Sequence, residues 1–472
     1  MKRYRSWLLI AAMIVSFLTL PGITASAEGE KAEKLTLSVT CSDPEQDCRL
    51  VLDNKEKTKI RVKKRTNFTV KSEQPFRNLY IKFEKESEWV ITLPDGTKIR
   101  PEKENYAHKY IRLEQAVTSF VLTMPAYGGL TDVYAFAEGE LPDWVQIWQP
   151  PCERADLMVM PAHADDEFLW FGGAIPYYAG ELGYDVQMVY LTNHNNATIR
   201  NHERLNALWL VGIRNYPVIS PFLDVNDSRY SADDAAREFG GYRKVMAFQV
   251  QQIRRFRPKV ILAHDIKGEY GHGAHMLDAK TILEAAKISG APSKYSASAK
   301  QYGTYQVQKV YLHLWKENQI VVSWSDKVLS RFGGKTALDM AKEGFDCNKS
   351  QIISVKVEES GRYDCRKFGL AYTTVGNDTP GVNDFFEHID MSDKPYPTGT
   401  ESTPSAPSSQ EKDDASLSSA DYDTPPSVSP TDAGRHAPRR TNHTADIVVS
   451  GAAIVIMALV CVFRRLRTRT HY

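Results

Sequence analysis

Between Pro161 and Gly173 the chain reads Pro-Ala-His-Ala-Asp-Asp-Glu-Phe-Leu-Trp-Phe-Gly-Gly, a histidine followed closely by three acidic residues. His163 and Asp166 stand three apart across a turn, so both can point at one ion, while Asp165 between them projects elsewhere. Neutral imidazole with carboxylate is a ligand set suited to zinc, which takes two or three such groups and keeps a position open for water. Taken alone, Asp165 and Asp166 would do no more than cap a helix and complement its dipole. A second stretch, His264-Asp-Ile-Lys-Gly-Glu-Tyr-Gly-His-Gly-Ala-His275, places His272 and His275 three apart where a loop enters a helix. They share a face there, and the worth of the pair depends on what positions it.

The flanking elements supply that position. Ala155 to Met160 is a short apolar run that fits a strand buried on both faces, and an apolar pattern of helical period follows through Tyr178. The first acidic cluster therefore sits at the carboxyl end of a strand, where open α/β sheets bind ligands. Val186 to Leu191 is a second buried strand and Arg200 to Leu210 is helical. Tyr230 to Arg255 is a long helical stretch interrupted at Gly240, Lys259 to Ala263 is another strand, and Ala274 to Ile288 returns to helix. This alternation predicts a parallel sheet covered by helices on both faces. Two strand ends of one sheet then deliver metal-type ligands to the same edge, which lifts the metal reading above the capping one.

Glu33 to Gln149 has a different pattern. Leu35–Thr40, Arg77–Phe83, Trp89–Leu93 and Ser119–Met124 alternate or run apolar between turns such as Pro94-Asp-Gly96, which predicts a small β-sandwich. The closing run Leu130 to Gly139 resembles the last strand of galactose-binding-like jelly rolls. Carbohydrate binding and a purely structural accessory role both stay open for this region.

The chain has 472 residues, 42% of them hydrophobic, with a formal charge of +1 and no basic patch interleaved with aromatics, so nucleic acid is not an expected partner. Lys2-Arg-Tyr-Arg5, the apolar run Trp7 to Leu20 and the small residues Ala25-Ser-Ala27 predict a cleaved signal peptide. Ile447 to Phe463, followed by Arg464-Arg-Leu-Arg-Thr-Arg469, predicts a single membrane span with its tail in the cytoplasm. The Ser/Thr/Pro/Asp-rich segment before it cannot bury enough apolar surface to fold and predicts a stalk. The expected order is signal peptide 1–27, β-sandwich 28–150, α/β domain 151–392, stalk 393–445, transmembrane helix 446–464 and basic tail 465–472, with the ectodomain outside the cell membrane. Cys41 with Cys48, and Cys347 with Cys365, are candidate local disulfides, with Cys152 left over.

Ala162-His-Ala-Asp-Asp-Glu167 resembles the Ala-His-Pro-Asp-Asp-Glu signature of the PIG-L/LmbE-like family, which includes N-acetylglucosaminyl-phosphatidylinositol de-N-acetylases. Agreement continues through Arg200-x-x-Glu203, Glu269-Tyr-Gly-His272, Phe368-Gly-Leu370 and Asn383-Asp-Phe-Phe-Glu387. The resemblance implies a Rossmann-like domain and a zinc-dependent amidase, with one zinc or another divalent ion per chain, acting on an N-acetylated sugar or glycoconjugate. By motif position His163, Asp166 and His275 would bind the ion. Asp165 would be the general base, and His272 would stabilise the oxyanion. Tyr270 and Arg200 would line the substrate pocket.

Two positions depart from the family pattern. Ala164 stands for Pro, and the usual His-Pro-Asp-His reads His272-Gly-Ala-His275, without the Asp that holds the catalytic imidazole. Asp265 and Glu269 are the candidates to replace it. The rival reading is a surface carbohydrate-binding protein with an inactive α/β scaffold. Such a protein should have lost ligands, and all of them are present here.

Overall fold

The computed structural model describes residues 31–101, 105–194, 197–224, 231–351 and 355–394. The expected signal peptide, membrane span and basic tail lie outside these residues, as does the stalk apart from its first two positions. Among the described residues no helix is long and apolar enough to cross a membrane.

The amino-terminal part is all β: β1 (Ser38–Cys41), β2 (Ile60–Arg61), β3 (Thr66–Phe83), β4 (Val90–Thr92), β5 (Lys98–Ile99), β6 (His108–Met124) and β7 (Gly129–Phe136). A sandwich of two sheets was the expectation, but these strands share one hydrogen-bonded path, β2-β7-β3-β6-β4-β5, with β1 on β3. The difference comes from two strands far longer than the apolar runs suggest. β3 and β6 pair along most of their length, with irregularities between Lys71 and Asn78 that let one strand serve both halves of the sheet. Phe68, Phe83, Trp89, Ile91, Phe120 and Leu122 fill its apolar interior. β7 is buried along its whole length.

The second part is built on β8 (Leu157–Val159), β9 (Val186–Tyr190), β10 (Val218–Ile219), β11 (Val260–Ala263), β12 (Lys309–His313), β13 (Gln319–Val321) and, beyond a small hairpin of β14 (Val328–Leu329) and β15 (Lys335–Thr336), β16 (Lys367–Thr373). The order is β10-β9-β8-β11-β12-β16-β13. The first five run parallel, as the alternating pattern predicts, while β16 is antiparallel to both β12 and β13. The sheet is therefore mixed rather than wholly parallel.

Seven α-helices are described: α1 (Asp166–Leu169), α2 (Thr198–Leu210), α3 (Ala232–Glu238), α4 (Tyr242–Phe256), α5 (Gly273–Ile288), α6 (Ser296–Tyr302) and α7 (Ala337–Asp346). Gly240 and Gly241, both at positive φ, separate α3 from α4 where the sequence interrupts its helical pattern. Strand residues alternate between two cores. Leu157, Val159, Val260 and Leu262 pack with Leu205 and Leu208 of α2. Met158, Met160, Ile261 and Ala263 pack with Val250 and Ile253 of α4 and Ile282 of α5. Both faces are thus covered.

The β part and the α/β part pack as one compact unit. Tyr106 stacks on Tyr216 at 4.3 Å, Tyr216 Oη donates to Glu86 at 2.8 Å, and Asn206 of α2 donates to Glu56. The expected disulfides are not formed. Cys41, Cys48, Cys347 and Cys365 are free thiols, as is Cys152. The Cys41 thiol instead donates to the Asp43 carbonyl at 2.9 Å.

A histidine and carboxylate cluster at the sheet edge

β8 ends just before His163, and β11 ends at Ala263 beside it in the sheet, so the two motifs meet. His163 Nδ1, Asp166 Oδ2 and His275 Nε2 form a triangle with edges of 3.0, 3.2 and 3.2 Å. Three tetrahedral ligands at ordinary zinc distances sit about 3.3 Å apart, so the donor set and its spacing both suit such an ion. All three side chains are buried. Burial disfavours a charged ring, yet Asp166 outweighs it and carries His163 up to about 10 and His275 up to about 9. The cluster retains positive charge around Asp166 against its desolvation cost, which is the electrostatic demand that a bound cation meets.

The surrounding hydrogen bonds fix tautomers. His275 Nδ1 and His264 Nδ1 both donate to Glu269 Oε2 at 2.8 Å, and His313 Nδ1 donates to Glu269 Oε1 at 2.7 Å. When the ring is neutral, as a metal ligand must be, donation from Nδ1 leaves His275 Nε2 free to bind an ion. His264 Nε2 lies 3.5 Å from Asp166 and is a second candidate ligand by proximity. It already accepts the Ala162 backbone N–H at 2.8 Å, which assigns His264 to holding the turn. Trp170 Nε1 donates to Asp166 Oδ1 at 2.7 Å and fixes that carboxylate from the other side.

The two adjacent aspartates point at different partners. Asp165 has φ of 105°, a conformation that costs a non-glycine residue about 1–3 kcal/mol. This turn directs its carboxylate to Arg200, with Oδ2 3.4 Å from Nη2. Burial raises Asp165 to about 6 against the opposing pull of Arg200. Arg200 is itself buried, donates to the Ala164 carbonyl, and lies 3.7 Å from Glu203, which is held by Ser350. These contacts let Arg200 orient Asp165, and its Nη1 has no hydrogen-bond partner.

His272 stacks on His275 with ring centroids 4.6 Å apart and meets His163 edge-on at 4.7 Å. Neither Asp265 nor Glu269 replaces the missing Asp. Both Glu269 oxygens are taken by His264, His275, His313 and the Asp265 N–H, and Asp265 caps Lys267. Instead the Ala274 N–H donates to His272 Nδ1 at 3.3 Å. Burial and the neighbouring His163 and His275 push His272 down to about 2, so its ring is neutral with the proton on Nε2. Tyr270, at φ 45° and 51% exposed, stands over His272 and His275 at 5.5 and 5.4 Å.

Sequence reasoning missed the supporting residues. His194 Nε2 accepts the Ala164 N–H at 2.8 Å, and Asp224 Oδ2 lies 3.4 Å from His163 Nε2. Neither stands in a stretch with metal-type spacing. His313 had a readable signal, because it closes the apolar run of β12 at the same sheet edge.

Two imidazoles and a carboxylate at the strand ends of an α/β sheet, with a second carboxylate beside them, form a donor set that could hold a divalent metal ion. A family model described as "PIG-L: GlcNAc-PI de-N-acetylase" matches residues 158–286. A 1D-myo-inositol 2-acetamido-2-deoxy-alpha-D-glucopyranoside deacetylase from Catenulispora acidiphila is 26% identical over 186 residues, covering 34% of this chain and 56% of the relative. One from Tsukamurella paurometabola is 29% identical over 184 residues, covering 31% and 61%. The chain thus spans less than two thirds of the length of these relatives. An N,N'-diacetylchitobiose deacetylase from Pyrococcus horikoshii, solved with an inhibitor, aligns over 44% of this chain and 75% of its own at 17% identity, with a TM-score of 0.34, too low to equate the folds.

Proposed function

We propose that this protein is a metal-dependent N-deacetylase acting on an N-acetylglucosamine-type sugar or glycoconjugate. The observation that carries the reading is the triangle of His163 Nδ1, Asp166 Oδ2 and His275 Nε2, with Asp165 turned aside next to it. Zinc or another divalent ion held by these three groups would supply Lewis acidity toward an amide carbonyl and the attacking water. The remaining work falls to the chain. Asp165 takes a proton from water as its oxygen bonds to the acyl carbon, and its position is set by Arg200. His272 donates its Nε2 proton in a hydrogen bond to the carbonyl oxygen as negative charge develops, a role that a neutral ring fulfils. When the carbon–nitrogen bond breaks, protonated Asp165 gives its proton to the leaving amine, and acetate and a free amino sugar result. The two relatives are deacetylases of the same acetamido sugar, which supports the sugar assignment.

Acetate release from a panel of N-acetylglucosamine compounds, with metal content measured on the same preparation, tests the reading. Stoichiometric metal with no acetate from any compound would overturn the sugar assignment, and absence of metal would overturn the chemistry. Residues 1–27 and 446–464 support export and a single carboxyl-terminal anchor, which favours an envelope or external glycan as substrate. Release of a soluble fragment when protease is added to intact cells tests that location.

A further inference from the structure

Asp165 carries its carboxylate on a backbone at φ 105°, well beyond the left-handed helical well near about +60°. A conformation of this kind persists only where the surroundings over-determine it. Three side chains hold the turn. His194 Nε2 accepts the Ala164 N–H at 2.8 Å, Arg200 donates to the Ala164 carbonyl, and Glu167 Oε2 accepts the Asp165 N–H at 2.8 Å. Of these only Glu167 holds the amide of Asp165 itself, on the bond about which φ turns.

Glu167 is fixed in its turn. It is fully buried, and its Oε1 is hydrogen-bonded to Tyr190 Oη at 2.8 Å. Tyr190 is the last residue of β9 and is also fully buried. Its carbonyl accepts the Ser220 N–H at 3.0 Å, and the Arg204 guanidinium lies over its ring at 4.8 Å. Backbone and ring are both pinned, so the hydroxyl is presented to Glu167 from a rigid strand end. Replacing both partners of a buried hydrogen bond by apolar groups is nearly neutral or stabilising for folding. The pair is therefore better explained by what it holds than by stability. Neither side chain hydrogen-bonds to His163, Asp166 or His275 among the described residues, so the pair bears on the base and not on the ligands.

We propose that Tyr190 is a positioning residue for deacetylation: through Glu167 it locks the Asp165 backbone in the turn that aims the base aside from the ion. The inference rests on the deacetylase reading and adds to it a residue outside both histidine motifs. A base displaced by a fraction of its hydrogen-bond length loses rate without losing substrate, because alignment matters most at the reacting atoms.

The test uses the compound of the N-acetylglucosamine panel that the wild type deacetylates fastest, with metal content measured on each preparation. Tyr190→Phe keeps the ring, and kcat should fall by about ten- to a hundredfold while KM and metal content stay at the wild-type values. Glu167→Leu should fall at least as far. Glu167→Gln keeps an acceptor for the Asp165 N–H and a donor for Tyr190 Oη, and it should recover most of that loss. In an Asp165→Asn background, Tyr190→Phe should change turnover by less than about twofold, because no base is left to position. Unchanged kcat in Tyr190→Phe, loss of its metal, or an undiminished effect in the Asp165→Asn background overturns the lock. If no compound of the panel is deacetylated, the deacetylase reading fails on its own, and hydrogen exchange at the Asp165 amide decides. Exchange at least about tenfold faster in Glu167→Leu, with β3 and β6 unchanged, supports the lock. Exchange that is unchanged, or faster only in step with β3 and β6, refutes it.

Discussion

Among the described residues two regions bring two histidines and a carboxylate within ligand distance of one another, and they have opposite characters. In the first, Asp166 stands between His163 and His275, and both rings are driven toward the charged form. In the second, where the β part meets α2, Glu56 lies near His108 and His202. There the carboxylate is already satisfied, by Lys82 at 2.5 Å and by Asn206. The imidazoles bond to each other, His108 Nε2 to His202 Nδ1 at 2.7 Å, and His108 Nδ1 reaches Gln146 Oε1 at 2.8 Å. Burial, helped by Lys82, keeps both rings neutral. Proximity of donor atoms is thus a weak criterion for a metal. The deciding question is whether the carboxylate has a cation already, and only Asp166 lacks a lysine or arginine.

The sharpest way to break this contrast is to count ions. Elemental analysis should find one divalent ion per chain, and His275→Ala should abolish tight binding and with it the activity. A second equivalent that persists in His275→Ala would show that the Glu56 cluster binds metal after all. Within the first cluster, Asp165→Asn should retain the ion because that carboxylate faces Arg200. Turnover should nevertheless fall by about a hundred- to ten-thousandfold through loss of the general base. Full turnover in Asp165→Asn with saturating metal would remove Asp165 from the mechanism.

Periodicity and motif spacing predicted that the ends of β8 and β11 bring the two histidine motifs together, because a buried parallel strand and its following helix are local patterns. Other features depend on partners distant in the chain. Glu269 was legible as part of a motif, but its three imidazole donors come from the residue after β11, from α5 and from β12, and the sequence alone pointed it toward His272. The expectation for Arg200 said nothing of Asp165 and Ala164, the groups from another turn that its Nη2 meets. The antiparallel pairing of β16 carries no local mark that separates it from a parallel strand. The face of α2 that meets the β part was equally hidden, since one buried histidine on each side signals nothing until the two are brought together.

Glu269→Gln gives a smaller effect of a different kind. The carboxylate orients His275 through its Nδ1 proton, and loss of such a partner typically weakens metal affinity by about 10- to 100-fold. Competition with a chelator should detect that change while the ion remains bound at saturation. Unchanged affinity would show that the His275 tautomer is set by something else. A Gln at this position keeps the volume, so a general loss of folding is not expected to mask the result.

The smallest expected effect lies in the second cluster and concerns stability alone. Burial lowers His202 from its ordinary 6.5 to about 4, and His108 falls well below the ordinary value for the same reason. Between those limits the unfolded chain binds protons that the native protein does not. This contribution to stability is therefore complete above about pH 6.5 and is lost as pH falls toward 4, by at most about 3 kcal/mol for His202. Glu56, held below the ordinary carboxylate value by Lys82 against the effect of burial, acts in the same sense at the acid end. Asp132, raised to about 6 by burial, opposes it, because a neutral acid is easier to bury. Glu167, raised to about 8, and His163, raised to about 10, act in the opposite sense elsewhere in the molecule, so the effect of His202 is read as the difference between wild type and variant in urea midpoint at pH 7 and pH 5. His202→Phe should cost about 1–3 kcal/mol at pH 7 by leaving His108 without its partner. It should also reduce the loss of stability between pH 7 and pH 5 relative to the wild type, while metal content stays at one ion per chain. A variant that keeps the wild-type slope would show that His202 titrates normally, and a variant that loses metal would join the two clusters that the hydrogen bonds separate.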